Sequence, residues 1–205
     1  GDVINFIQIL GNVLDLGVPS DSTVSIAKLS ATGTKNSTTF LRGDNTFNAP
    51  PASGIENIST FRMTTNFTMT TGAQITANWS AAGVSLGTAI SESSGTFSFP
   101  QTGIYRVEAN FNLVRVQGDS DYIELNIKGT TDNSSYADLL SHWTHIGDVA
   151  DQHSCIYGAI IFDVTNTTND KIRLHYESQS ATNIRVSGTN GRDGTYIRFI
   201  RLGDT

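Results

Sequence analysis

From Tyr105 to Leu113 the chain alternates without a break. Tyr105, Val107, Ala109, Phe111 and Leu113 are apolar, and Arg106, Glu108, Asn110 and Asn112 between them are polar. Successive side chains of a strand point to opposite faces, so this run reads as a half-buried β-strand; on a helix the same residues would circle the axis. Lys171–Glu177 repeats the pattern, with Ile172, Leu174 and Tyr176 expected inward and Lys171, Arg173, His175 and Glu177 outward. Further strands are expected at 59–69, 73–79, 96–99, 122–128, 154–164, 183–187 and 195–202, with Gly-, Asn- and Asp-rich turns at 118–119, 165–170 and 188–194. No helix of ordinary length fits, and 136–143 has room for one helical turn. Many short strands joined by polar turns make an all-β sandwich or barrel.

Composition agrees. Only 16% of residues are charged, against roughly 25% in soluble domains. Polarity comes instead from Ser, Thr, Asn and 19 Gly, which compete with helix backbone bonds and favour turns. A net charge of -6 and the lack of any Lys/Arg cluster argue against nucleic acid as a partner. No apolar run approaches the ~20 residues that span a bilayer, so no membrane insertion is expected. The start lacks the basic segment of a signal peptide, and Gly1 reads as the beginning of a piece of a longer chain. Cys155 is the only cysteine, which excludes an intrachain disulfide and a CxxC site; its apolar setting reads as that of a small buried hydrophobe.

Adjacent prolines in Asn48-Ala49-Pro50-Pro51-Ala52-Ser53-Gly54 stiffen the chain and mark residues 48–54 as a linker. Residues 1–47 before it carry more apolar surface than about fifty residues can bury alone: Ile4, Phe6, Ile7, Ile9, Leu10, Val13, Leu14, Leu16 and Val18 crowd the first eighteen positions. Three intertwined copies would bury it. A helix over 1–18 packed on the second half is the other reading, and Asn5, Gly11, Asn12, Asp15 and Gly17 weigh against it.

Gly95-Thr96-Phe97-Ser98-Phe99-Pro100-Gln101-Thr102-Gly103-Ile104-Tyr105 resembles the Gly-x-Phe-x-x-Pro-x-x-Gly-x-Tyr signature of the C1q/tumour-necrosis-factor superfamily. Thr195–Gly203 is similar to the closing strand of its phage and bacterial members. Lys28–Gly33 and Ser37–Phe47 resemble a segment that precedes head domains in phage tail and fibre proteins. The collagen stalk of animal C1q proteins is absent. For residues 55–205 the resemblance implies a ten-strand jelly-roll sandwich, homotrimeric, preceded here by an intertwined β-rich stem. It also implies Phe97 and Tyr105 in the core, both ends of the head at its base, and the connections 79–95, 116–121, 146–153 and 178–195 at the far apex. Loops on a rigid scaffold are where binding resides. The expected receptor contacts are therefore Asp119, Asp121, Trp143, Asp148, Asp151, Arg192 and Asp193.

Other features carry less. Asp119, Asp121, His142 and His145 are the residues that would hold a metal, and some C1q-like heads hold calcium at the apex. Solvated turn carboxylates explain the acids more simply, Gly118-Asp119-Ser120-Asp121 matches no EF-hand loop, and His142, His145 and His153 match no compact zinc spacing; no cofactor is assigned. Trp79 and Trp143 are core or interface rings by default, and Trp143 could stack on a sugar. Arg42-Gly43-Asp44 spells an integrin tripeptide but serves a turn more simply, and the Asn-x-Ser/Thr sequons at Asn36, Asn57, Asn66, Asn78, Asn133 and Asn166 are of the kind such a composition produces by chance. No nucleophile elbow or H-E-x-x-H motif is present, so nothing marks an enzyme.

These readings converge on a viral receptor-binding protein at the distal end of a tail fibre. Its apical loops would contact a host glycan or outer-membrane protein, and its stem would join the rest of the fibre or tail. A trimerisation clamp without receptor binding, a glycan-degrading interface enzyme and a secreted C1q-like ligand are the alternatives.

Overall fold

The computed structural model describes residues 25–28, 30–50, 54–68, 72–180 and 183–205. The chain divides into two compact units, Gly1–Ala52 and Ser53–Thr205. The apolar run 1–18 of the expected stem lies outside the described residues.

In the first unit a 3-10 turn, Ile26–Lys28, is followed by a hairpin of β1 (Phe40–Leu41) and β2 (Phe47–Asn48). Arg42-Gly43-Asp44 forms its turn: Arg42 N donates to Thr46 O at 2.8 Å, and Asp44 Oδ1 accepts from the Thr46 hydroxyl at 2.6 Å. That is the turn role expected of the tripeptide.

The second unit holds β3 (Asn57–Met63), β4 (Phe67–Thr68), β5 (Ala73–Gln74), β6 (Trp79–Leu86), β7 (Ser91–Ser93), β8 (Thr96–Ser98) and β9 (Gly103–Arg115). After them come β10 (Ser120–Thr130), β11 (Ala137–Ile146), β12 (His153–Val164), β13 (Lys171–Ser178), β14 (Ile184–Val186) and β15 (Tyr196–Gly203). One sheet runs β7-β8-β13-β10-β11, with β5 added to β13. The other runs β6-β3-β15-β9-β12. The short β14 follows β15 along the same side of β9, pairing with Leu113–Arg115 where β15 pairs with Ile104–Asn110, and it carries β4. Without β4, β5 and β14, five strands remain in each sheet. This is the expected ten-strand jelly roll.

The alternation read from the sequence decides what lies between the sheets. Tyr105, Val107, Ala109, Phe111 and Leu113 of β9 face Ile172, Leu174 and Tyr176 of β13, all fully buried. Phe97, placed in the core by the resemblance, is also fully buried. Its ring lies 5.2 Å from Phe61, 5.3 Å from Phe199 and 5.8 Å from Trp79. The glycines of the motif serve close approaches. Gly95 has φ +74° and its Cβ position lies 2.0 Å from the Ile75 carbonyl oxygen; Gly103 has φ +137° and comes as near as 2.5 Å to the Gly203 oxygen.

Register orients the molecule. Asn57 pairs with Arg201, and Ile104 with Gly203, so both ends of the head meet at one end, the base. The connections at 116–119 and 147–152 lie at the opposite apex, as expected, and β14, between β13 and β15, lies there too, against Leu113–Arg115. Segment 79–95 does not. It is β6, which returns from Trp79 beside Met63 to Leu86 beside Ile58, followed by a basal link and β7. The chain leaving β3 reaches the apex in its place, where β4 pairs with β14.

Three local expectations are corrected. Residues 136–143 hold no helical turn; 137–146 is β11, whose alternation is blurred by exposed Leu139 and a register shift opposite Ile127 and Lys128. The expected strand 59–69 breaks after Met63, where Thr64 N turns to Asn78 O. Lys171 is buried rather than solvated, because Nζ folds back to donate to Thr167 O at 2.6 Å.

The basal link 165–170 is organised by one buried carboxylate: Asp170 Oδ2 accepts from Thr165 N at 2.7 Å and Asn166 N at 2.8 Å. Asp170→Ala strands both donors and is expected to cost about 1–3 kcal/mol, read as a lower urea midpoint at unchanged slope.

Candidate binding surfaces

Three surfaces of the head carry chemistry. The first is the apex. Arg115 donates through Nε to Gly118 O at 2.9 Å and forms an ion pair with Asp148, tying the β9–β10 connection to the β11–β12 connection. Asn183 joins them, accepting from Val116 N at 2.6 Å and donating through its side chain to Asp119 O at 2.8 Å. Asp119, Asp148 and Asp151 therefore share one side of the apex. Arg192 and Asp193 lie in the β14–β15 connection. There Asp193 is engaged by Arg62 at 3.1 Å and Arg198 at 3.6 Å, which makes it part of a structural ion network. Arg192 is exposed.

Trp143 and Asp121 are not in apical loops. Asp121 is the second residue of β10, and Trp143 lies within β11 opposite Glu124. They belong to the second surface, a cleft of about 710 Å³ lined by Asp121, Tyr122, Glu124, Trp143, Thr144 and His145. Trp143 is 64% exposed. Glu124 Oε1 accepts from Asn126 Nδ2 at 2.6 Å, and the same Nδ2 donates to Ser141 Oγ at 2.8 Å, so the carboxylate is held by a residue two positions along its own strand. Loss of hydration, then the carboxylates of Glu177 and Glu124, raise the Tyr122 phenol above its ordinary pKa. His142 points the other way, its Nδ1 2.9 Å from Tyr157 O at the seam with β12. The four metal candidates thus divide, with Asp121 and His145 in the cleft, His142 at the seam and Asp119 in the loop. Among the described residues no group of three or more His, Cys, Asp or Glu is placed to hold an ion.

The third surface is the outward face of the β6-β3-β15-β9-β12 sheet. Glu108 is nearly buried on it. Its carboxylate accepts from Arg198 at 3.0 Å and the Tyr157 hydroxyl at 3.1 Å, and pairs with Arg106 Nε at 3.2 Å. Around this cluster stand exposed Tyr157, Ile161 and Leu202 and half-buried Ile104, Ile200 and Ala159. A cleft of about 490 Å³ between Ile58, Thr60, Gly83, Asp193, Arg198 and Ile200 opens onto the same face. Cys155 is here too, exposed opposite Asn112, and not the buried hydrophobe its neighbours suggested. The neighbours misled because Ile156 takes the inward position and strand parity turns Cys155 out.

Sequence reasoning passed over Tyr122, Glu124 and Thr144 of the cleft and most of this face. A signal for the face was present. Ile156, Tyr157, Ala159, Ile160, Ile161 and Phe162 are apolar on both parities, the mark of a strand covered on both sides.

No family model matches the chain, and no curated protein matches it. Solved structures do. The Eiger TNF of S. frugiperda is similar with a TM-score of 0.55 at 13% identity, over 72% of this chain and 93% of that one. Murine APRIL, solved at pH 8.5, is similar with a TM-score of 0.53 at 13% identity, over 71% and 98%. The head has the C1q/TNF-like jelly-roll fold.

Proposed function

We propose that this chain is a non-enzymatic, homotrimeric attachment module: the head and part of the stem of a bacteriophage tail fibre, carried at the distal end of the virion. Its ligand is a host cell-surface glycan or outer-membrane protein. The observation that carries the trimer is the third surface. It sets an apolar band of Ile104, Tyr157, Ile161 and Ile200 around a pre-satisfied charge cluster, so covering it desolvates no unpaired ion. The fold likeness supports the same assembly, because the resemblance of 95–105 to the C1q/TNF signature implies a tight trimer. The viral placement rests on the resemblance of 28–47 to fibre stem segments.

Trimerisation suits attachment: three linked sites raise effective concentration, so weak single contacts add to firm adhesion. Light scattering is expected to return a mass near three times 22.0 kDa. The trimer is also expected to decorate host cells and to slow adsorption of the intact virus. Failure to bind any cell that the virus infects would remove the attachment reading and leave a trimerisation clamp, for which exchanging the apical loops would leave host range unchanged.

A further inference from the structure

We infer that the cleft between β10 and β11 binds a neutral hexopyranose of a surface glycan, with Trp143 as the stacking platform and the carboxylates of Asp121 and Glu124 as acceptors for sugar hydroxyls. The inference rests on the attachment reading for its biological sense and names the ligand class of that reading.

Five observations converge. A tryptophan exposed to 64% in the middle of a strand contributes little to its own core, and a flat ring free on one face suits the C–H face of a pyranose. The cleft is open to solvent, and its volume, about 710 Å³, falls in the range of small-ligand sites. The lining pairs this ring with groups that bond hydroxyls: the two carboxylates, the Tyr122 phenol and the His145 ring. Glu124 does not have to be ordered on binding, because Asn126, itself buried, already holds one of its oxygens. No Lys or Arg lines the cleft, and Glu177 sits beside Glu124 on β13, so an anionic sugar would meet only like charge.

Sugar binding can be followed in the intact protein by tryptophan emission. Trp79 is a poor reporter of it, being held among core rings with Nε1 donating to Ile75 O at 3.2 Å. The probes are methyl α-D-mannopyranoside, methyl β-D-galactopyranoside and methyl β-D-glucopyranoside, with N-acetylneuraminic acid as the anionic control. At least one neutral probe is expected to give a saturable shift with Kd of order millimolar, and the anionic probe none. Calorimetry is expected to show affinity falling at least about tenfold in Trp143→Ala and in Glu124→Gln, while Trp143→Phe retains most of it. Unchanged circular dichroism shows that the variants fold.

The inference is overturned if no neutral probe saturates below about 100 mM, where even a weak single site would register, or if Trp143→Ala binds like the parent. Adsorption to host cells separates the two readings. Trp143→Ala adhering like the parent, with no sugar response, sinks the cleft and leaves attachment standing. A sugar response that Trp143→Ala abolishes, in a protein that adheres to no host cell, supports the cleft and removes attachment.

Discussion

Ile161→Asp is expected to leave the protein monomeric where the parent forms the proposed trimer. Ile161 is 62% exposed in the single chain, on the outward face of β12 opposite Arg106. Its side chain takes no part in the core, so the substitution leaves each jelly roll able to fold. In the assembly three carboxylates would be carried into an apolar contact, and stripping water from a buried ion costs several kcal/mol even after relaxation. Light scattering reads the mass directly. Unfolding temperature should also fall and cease to depend on protein concentration, since a folded monomer has no association to gain from mass action. Leu139→Asp makes the same chemical change at an exposed position of the other sheet and is expected to leave the mass alone. A trimer that survives Ile161→Asp would show that a different surface joins the chains.

The largest loss of stability is expected at Phe97→Ala. The ring is fully buried where β8 crosses the core and touches Phe61, Trp79 and Phe199, with centroids between 5.2 and 5.8 Å away. Removing it leaves a cavity walled by other rigid rings that cannot close over it, so the cost should reach about 3–5 kcal/mol. Edge-on ring contacts add about 0.5–1.5 kcal/mol beyond area alone. Against the 5–15 kcal/mol typical of a whole domain, at around 25 °C, that is a large share. Urea unfolding followed by tryptophan emission measures it. Phe97→Leu, which keeps most of the volume, should lose roughly half as much or less. An effect below about 1 kcal/mol for Phe97→Ala would mean that the ring cluster is loosely packed.

Legibility differed by element. β9 and β13 were plain because each turns apolar residues to the core and polar ones to its other side, and that asymmetry writes a period of two into the residues. β6 was missed because it is an edge strand of small residues, Ser80, Ala81, Ala82 and Gly83, with little β propensity. β11 was missed because a register shift at Leu139 breaks its parity and its outward side carries Trp143, which together erase the contrast between faces. Of the candidate contacts, the apical acids were placed at the correct end by counting connections. The cleft was not foreseen, since Tyr122 and Glu124 meet Trp143 only through the antiparallel register of β10 and β11.

By itself, then, the sequence determined the β class, the inward residues of the long strands, and the corner from Gly95 to Tyr105, because each is set by side-chain alternation or backbone sterics within a few residues. Only the tertiary structure decided which strands are neighbours, that β6 runs back from the apex to the base, and that Cys155 faces out. It also brought Trp143, Glu124 and Tyr122 to one cleft, and Arg106, Tyr157 and Arg198 to Glu108. Across strands these contacts join residues 19 (Glu124 to Trp143) to 90 positions apart. They depend on which non-local pairing buries the most apolar surface, a property of the whole chain that no local window contains.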